Sequence, residues 1–278
     1  MKQDLASMAV SMRRSILEVS HRSGLSSHLG GGLSMVEIMA VLYGRVLRLR
    51  PEDPLWSERD RFILSKGHGV LGLYSALLAA GLLPREKFES FQTNGSEFCA
   101  HPVMQPEVGI ESSNGSLGQG LSMGVGIAMG ARMRRSTHRV FVLVGDGECN
   151  EGSIWEALML GAHLRLTNLC VIVDCNGFQS DGATASILDA SDIGTRIESF
   201  GWKVHEVDGH DIDALLQAFE APSDRPKAIV AHTVKGKGVS FMEHDNQWHH
   251  RALTRTLFDQ AMAEIATTTV TPPTPSAR

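Results

Sequence analysis

Two apolar runs, Val140 to Val144 and Leu169 to Cys175, flank a stretch of helical periodicity, and each ends in turn residues: Gly145-Asp146-Gly147 after the first, Asn176-Gly177 after the second. No other feature constrains the fold as much. Short β-branched runs without polar alternation read as strands buried on both faces, which is the signature of a parallel sheet. Between them Ser153-Ile-Trp-Glu156 fits a capping box, and Trp155, Leu158, Met159 and Ala162 recur at helical spacing. Strand, helix and strand then form a right-handed crossover that brings both strand ends to one edge. Open α/β sheets bind their ligands at that edge.

The rest of the chain extends this pattern. Leu5 to Val19 and Met35 to Leu47 read as amphipathic helices, with Gly30-Gly31-Gly32 before the second. Phe62 to Leu64 is a short strand entering Ser65-Lys-Gly-His68, and Val70 to Ala80 is helical. Leu117 to Arg134 is a helix with Gly120, Gly124 and Ala128 at four-residue intervals. Strands are expected at Lys203 to Val207 and Ala228 to Val234, and a last helix at Leu253 to Ala266. This alternation predicts a three-layer α/β/α fold with a mostly parallel sheet. One domain, residues 1–266, accounts for it, followed by a proline-containing tail, 267–278, without periodicity and read as disordered.

An acidic side chain after one strand and an amide after its neighbour can converge on one point. Asp146, Asn176 and a nearby backbone carbonyl, that of Phe178, are hard oxygen ligands suited to Mg²⁺ or Ca²⁺. A hard cation with so few protein ligands completes its shell with water and phosphate oxygens. The pair therefore suggests a metal-bridged diphosphate, although either turn alone is also an ordinary surface turn. Gly115-Ser-Leu-Gly118-Gln-Gly120 opens a helix, where bare amides and the helix dipole favour an anion. Tight packing of a glycine-faced helix explains the same residues equally well.

Of twelve histidines, His21, His138, His163, His205, His210 and His232 lie in ordinary contexts. His28, His68, His101 and His249 instead occupy loops among glycines or at element ends. Imidazoles so placed can donate to anionic oxygens and move protons near neutral pH. The net charge of −5 and the lack of a basic stripe give no nucleic-acid footprint. Four cysteines show no CxxC pair or metal-ligand spacing, and Cys170 and Cys175 fall in a strand, as core thiols do. With no signal-peptide pattern and no apolar run long enough for a membrane span, the expected location is the cytoplasm.

Taken together these landmarks resemble the transketolase family. Gly145-Asp-Gly-Glu-Cys-Asn-Glu-Gly152 through Asp174-Cys-Asn-Gly177 is similar to its thiamin-diphosphate signature. Asp60-Arg-Phe-Ile-Leu-Ser-Lys-Gly-His68, Ser26 to Ser34, His101-Pro102, Gly115 to Gly120 and Trp248-His249 match its other landmarks in order, over roughly Ser7 to Leu253. The resemblance implies transfer of a two-carbon ketol group from a ketose, or ketose phosphate, to an aldose, with thiamin diphosphate and Mg²⁺ (or Ca²⁺) as cofactors.

It also implies residue roles. Gly115, Leu117, Gly145, Asp146, Gly147, Glu148 and Asn176 would hold the cofactor, with His68 and His249 on its diphosphate. His28 and His101 would face the reacting carbons and hydroxyls, and Glu151 would link paired sites across an interface, although a helix-start carboxylate is an equally good reading of that residue. Asn114-Gly115-Ser116 replaces the family's common Thr-Gly-Pro, and His250 stands where glycine is common. Lys235-Gly-Lys-Gly238 lacks the context of a Walker loop and reads as a mobile loop over the cofactor.

Single-chain transketolases are much longer, and their second domain carries the pyrimidine-activating glutamate and the sugar-phosphate grip. Neither is recognisable here. The resemblance thus implies the amino-terminal subunit of a split enzyme, with a carboxyl-terminal partner in an α₂β₂ assembly. A 2-oxo-acid dehydrogenase or deoxyxylulose-phosphate synthase subunit, or a non-catalytic cofactor-binding protein, is the alternative.

Overall fold

The computed structural model describes residues 4–189 and 192–268. The helices α1 (Leu5–Ser23), α2 (Leu29–Leu33) and α3 (Val36–Val41) lead into strand β1 (Arg61–Leu64), α4 (Val70–Ala79) and α5 (Arg85–Glu89). Then come α6 (Gln119–Met133), β2 (Val140–Gly145), α7 (Gly152–His163), β3 (Leu169–Cys175), α8 (Thr184–Ile187) and α9 (Ile193–Ser199). The chain continues through β4 (Lys203–Asp208), α10 (Ile212–Glu220), β5 (Lys227–His232) and α11 (Arg255–Thr268). All four strand pairings are parallel, in the order β1-β2-β3-β5-β4.

Alternation along each strand divides the core in two. Phe62, Leu64, Phe141, Leu143, Cys170 and Ile172 face a layer that includes α1, α3 and α4, whereas Ile63, Val142, Val144, Val171 and Val173 face α6 and α7. Covering both faces is what makes the strands read as unbroken apolar runs. The expected α/β/α architecture is the observed one.

Some local expectations change. Helix α3 is buried all round, Glu37 included, and is not amphipathic; it passes into a π-turn, Leu42–Val46, closed by Leu47 N–H on the Leu42 carbonyl at 2.8 Å. The three glycines are helical, inside α2, despite their poor helix propensity, and they let neighbours approach closely: a Cβ would meet Lys235 and the Trp248 carbonyl at Gly30, His68 at Gly31 and the Gly72 amide at Gly32. The capping box does not form: Glu151 is the N-cap of α7, and the Ser153 hydroxyl donates to the Gly118 carbonyl at 3.0 Å. β5 ends at His232: Thr233 N–H still bonds the Cys175 carbonyl at 3.1 Å, but Val234 N–H leaves the sheet for His210 Nε2 at 2.9 Å. Helix α11 runs through Thr267 to Thr268, so the tail expected from Thr267 starts inside a helix; 269–278 lie outside the described residues.

The four-residue glycine stripe of α6 packs inward. A Cβ on Gly120 would strike Ser65 at the end of β1, and one on Gly124 would strike Val142 of β2, while Gly126 and Gly130 face open space. Gly124→Ala is therefore expected to lower stability by about 1–2 kcal/mol through overpacking, net of improved helix propensity. Gly126→Ala should raise it by roughly 0.5–1 kcal/mol. Thermal unfolding of the two variants checks both signs.

Candidate functional site

The β2 and β3 ends meet as the paired turns required. Asp146 N–H donates to the Asp174 carbonyl at 3.2 Å, joining the edges. The Asp146 carboxylate then accepts from Gly147 N–H at 2.9 Å on one oxygen, and from Gly177 N–H at 2.9 Å and the Thr184 hydroxyl at 3.0 Å on the other. Burial, followed by the charge of Asp174, raises the Asp146 pKa. A cation would relieve that cost. Just beyond the end of β3, Asn176 donates its amide to Asp174 at 3.3 Å, and its oxygen accepts Phe178 N–H at 3.1 Å. Pinning the amide nitrogen turns the oxygen toward the loop.

Asp174 organises the floor. Fully buried, it accepts from Lys66, from the Ser34 hydroxyl at 2.6 Å, and from Thr233. Lys66, also buried, donates as well to the Gly31 carbonyl at 3.0 Å. Burial opposes the Asp174 charge, but the Lys66 ammonium and these donors hold its pKa below the usual value. Isolated buried charges are costly, and this one is paired and hydrogen-bonded.

Glu148 ties three loops together. Its carboxylate accepts Gly118 N–H at 2.8 Å, Gly145 N–H at 3.0 Å and the Ser65 hydroxyl. The Gly118 amide is thus committed to Glu148 and is not bare for an anion, which corrects one reading of that loop. Gly118 itself is obligatory: its φ is +84°, and a Cβ would collide with Glu151 and Ser153.

Four loops bring the landmark histidines together. His28 lies 5.6 Å from His68, 5.5 Å from His101, 5.3 Å from His249 and 4.5 Å from His250, ring centre to ring centre. Burial foremost, then neighbouring positive and imidazole groups, pushes His28 down to about 3 and His249 down to about 4, with His68 well below the usual value and His101 also lowered. These rings are neutral at pH 7, each with one N–H donor and one lone pair. His250 is exposed and packs against His28, a fifth ring beside the four that the sequence singles out.

A cavity of about 340 Å³ joins these parts. Its walls include His28, His68, His101 and His249; Gly115 and Leu117; Gly145, Asp146, Gly147, Glu148 and Glu151; and Asn176 and Phe178. Every residue expected from sequence to serve catalysis, cofactor or metal therefore lines one space. Lys66, Asn150, Gln179, Ser180 and Asp181 line it too, and sequence reasoning misses them. The place of Lys66, two residues past the end of β1, puts it at the sheet edge but does not say that it will be buried. The expected loop at Lys235 to Gly238 is packed: Lys235 is buried, and Gly236 N–H bonds the Gly30 carbonyl at 3.0 Å.

A diphosphate and its cation fit this lining. His28 Nδ1 and Gln179 Nε2 are buried without hydrogen-bond partners, and two lysines supply positive charge beside Asp146. Among the described residues no three His, Cys, Asp or Glu side chains converge on a metal-sized point. That suits a hard cation held by one carboxylate, one amide oxygen and one carbonyl, with the ligand's own oxygens completing the shell. No cysteine is among the described residues lining the cavity, and burial pushes Cys170 up to about 12 and raises Cys149 and Cys175 as well.

Residues 7–266 match the family description "Transketolase, thiamine diphosphate binding domain". The chain is 37% identical over 257 residues to an apulose-4-phosphate transketolase subunit of Phocaeicola vulgatus, covering 91% of each. It is 38% identical over 265 residues to a 6-deoxy-6-sulfo-D-fructose transketolase subunit of a Clostridium species, covering 94% of this chain and 96% of that one. Among solved structures, transketolase from Leishmania mexicana superposes with a TM-score of 0.86 at 29% identity, over 96% of this chain but only 42% of the other.

Proposed function

The chain belongs to the transketolase family through its thiamine diphosphate binding domain, and from that premise we propose that it is the amino-terminal subunit of a two-chain transketolase, holding thiamin diphosphate and a divalent cation, Mg²⁺ or Ca²⁺, for ketol transfer between sugars. The convergence of Asp146, Asn176, the Gly115 loop and four neutral histidines on one cavity carries this reading. When bound, the cofactor supplies the nucleophilic carbon and the electron sink for breaking and making the C–C bond. The chain's own residues bind, orient and move protons. Asp146, the Asn176 oxygen and the Phe178 carbonyl would hold the cation. Gly115, Leu117, Gly145, Gly147, His68 and His249 would hold the diphosphate end, with Glu148 fixing the loops around it. His28 and His101, neutral and less enclosed than His68, would bond substrate hydroxyls and take or return a proton as an alkoxide forms.

The two relatives named as transketolase subunits match nearly end to end, while a single-chain transketolase is covered over 42% of its length. That contrast supports a second chain, supplying the pyrimidine-binding half in an α₂β₂ assembly. A surface for it is available on α6 and α7. Met123, Met129, Met133, Met159 and Leu160 are exposed there, beside the open Gly126 and Gly130. On this reading the partner meets the face of α6 that carries Gly126 and Gly130, while Gly120 and Gly124 pack on Ser65 and Val142. Glu151 is exposed on the cavity wall at the start of α7, the helix that also carries Met159 and Leu160, and on this reading it links paired sites. Among the described residues no helix is long and apolar enough to cross a membrane, and we assign the enzyme to the cytoplasm.

The reading is tested in the reconstituted enzyme. Alanine at His28, His68, His101 or His249 is expected to lower ketol transfer about 10²- to 10⁴-fold, the usual range for proton-transfer groups. His138, bonded to Ser136 at 2.7 Å and not among the cavity residues, is the control. Equal rates for all five variants would return the cluster to a structural role.

A further inference from the structure

Lys235 lies behind the cavity residue His249 and is shut off from solvent. Its side-chain stem packs on Gly30: a Cβ there would sit 3.0 Å from both Lys235 Cγ and the Trp248 carbonyl oxygen. Gly236, at φ +81°, has no room for a side chain against Met242. Below the loop, His210 accepts Val234 N–H on Nε2 at 2.9 Å and pairs through Nδ1 with Glu37, also at 2.9 Å. Glu37 is in turn locked to Arg13 at 2.6 Å. The position of the Lys235 side chain is therefore determined by packing on all sides.

An ammonium group has three hydrogens and no lone pair. That of Lys235 has three neighbours at bonding distance: the Gln179 carbonyl at 3.1 Å, Asn246 Oδ1 at 2.8 Å and His249 Nδ1 at 3.0 Å. The first two can only accept. The third must then accept as well, so the His249 ring carries its hydrogen on Nε2. We propose that Lys235 is a positioning residue that fixes His249 as the Nε2–H tautomer, so that His249 presents an N–H donor, not a lone pair, to the oxygens of the ligand in the cavity. This rests on the cofactor reading only for what that donor meets. The tautomer follows from the chain's own geometry.

Two features of the surroundings agree. His249 Nε2 has no hydrogen-bond partner among the described residues, so its N–H is available to a ligand. Burial foremost, then the charges of Lys235 and Lys66 and the neighbouring His250, opposes a second proton on the ring, with Asp181 favouring one, and the rings of His28 and His68 stand 5.3 Å away. A donor of fixed direction in a half-enclosed pocket is worth more than a mobile one, because no reorganisation is needed when charge arrives. Lys235 thus acts through His249 rather than on the reacting atoms.

The test is made on the full chain, ¹⁵N-labelled, at neutral pH. Long-range ¹H–¹⁵N correlation distinguishes Nε2–H from Nδ1–H imidazoles, and the His249 signals are those lost in His249→Gln. Wild type is expected to show the Nε2–H pattern alone. Lys235→Met, which keeps the buried stem and deletes the donors, should show a measurable Nδ1–H fraction. With the positive charge gone, its His249 protonation midpoint should rise by about one pH unit or more. An Nδ1–H signal from His249 in wild type overturns the inference even if the methionine variant does not fold. A folded methionine variant with an unchanged pattern overturns it too. Calorimetry of thiamin diphosphate with Mg²⁺ on the reconstituted enzyme reports separately on the cofactor reading, so the two ideas fail independently.

Discussion

Supplied with Mg²⁺, thiamin diphosphate, a ketose and an aldose acceptor, this 278-residue chain is expected to show no ketol transfer by itself, and turnover is expected to appear when a carboxyl-terminal transketolase chain is added. The reason lies in what the cavity offers. Its buried carboxylates are already committed: Asp146 accepts three hydrogen bonds, and Glu148 holds Gly118, Gly145 and Ser65. Glu151 and Asp181 are exposed at the wall. None is placed in an apolar niche of the kind that keeps a carboxyl group ready to engage a ring nitrogen. The diphosphate end of the cofactor finds donors and a cation site here; the pyrimidine end finds nothing comparable among the described residues. A surface with five exposed methionine and leucine side chains on α6 and α7 also gives the chain reason to associate. Steady turnover by the purified chain, with no second polypeptide by mass spectrometry, would refute the two-chain reading.

Much of this is legible in the sequence because strand-end chemistry is local. Gly145-Asp146-Gly147 and Asn176-Gly177 announce both the strand termini and the ligands they carry, and the sheet aligns them without further information. The histidines are legible for a similar reason: His28, His68, His101 and His249 each sit in a glycine-bordered or element-ending loop, where a side chain is more often functional than packed. Lys66 and Lys235 are not, since nothing in a sequence says that a lysine will be buried until its partners, Asp174 and His249, are brought to it by the fold. Glu148, expected on the cofactor, staples two backbone amides and the Ser65 hydroxyl, because an acidic residue after Gly-Asp-Gly looks the same in either role. The capping box at Ser153 fails because α7 starts earlier: Glu151 is its N-cap, so Ser153 already lies in the first turn, where its hydroxyl donates to the Gly118 carbonyl instead of accepting a backbone N–H. The stripe at Gly120 and Gly124 serves the sheet rather than an interface, and periodicity alone cannot say which neighbour a small-residue face will meet.

The second large effect concerns Asp146. Its alanine variant is expected to bind no measurable thiamin diphosphate, but the structure shows that this substitution alone would be ambiguous. Removing the carboxylate also leaves Gly147 N–H, Gly177 N–H and the Thr184 hydroxyl without their acceptor, at about 1–3 kcal/mol for each one left buried and unpaired. Loss of binding could then be loss of the loop. Asp146→Asn separates the two. It keeps the shape and one acceptor oxygen, and it deletes a charge whose burial beside Asp174 is unfavourable while no cation is bound. Its unfolding free energy should therefore stay within about 1–2 kcal/mol of wild type. Its affinity for the cofactor with Mg²⁺ should nonetheless fall, because a buried charge pair that loses one partner costs about 2–5 kcal/mol, or roughly 30- to 4,000-fold. Calorimetry in the reconstituted enzyme, with thermal unfolding of the same samples, reads both quantities. A stable asparagine variant that binds cofactor as wild type does would remove Asp146 from the cation site, and with it the pairing of strand ends on which the site was built.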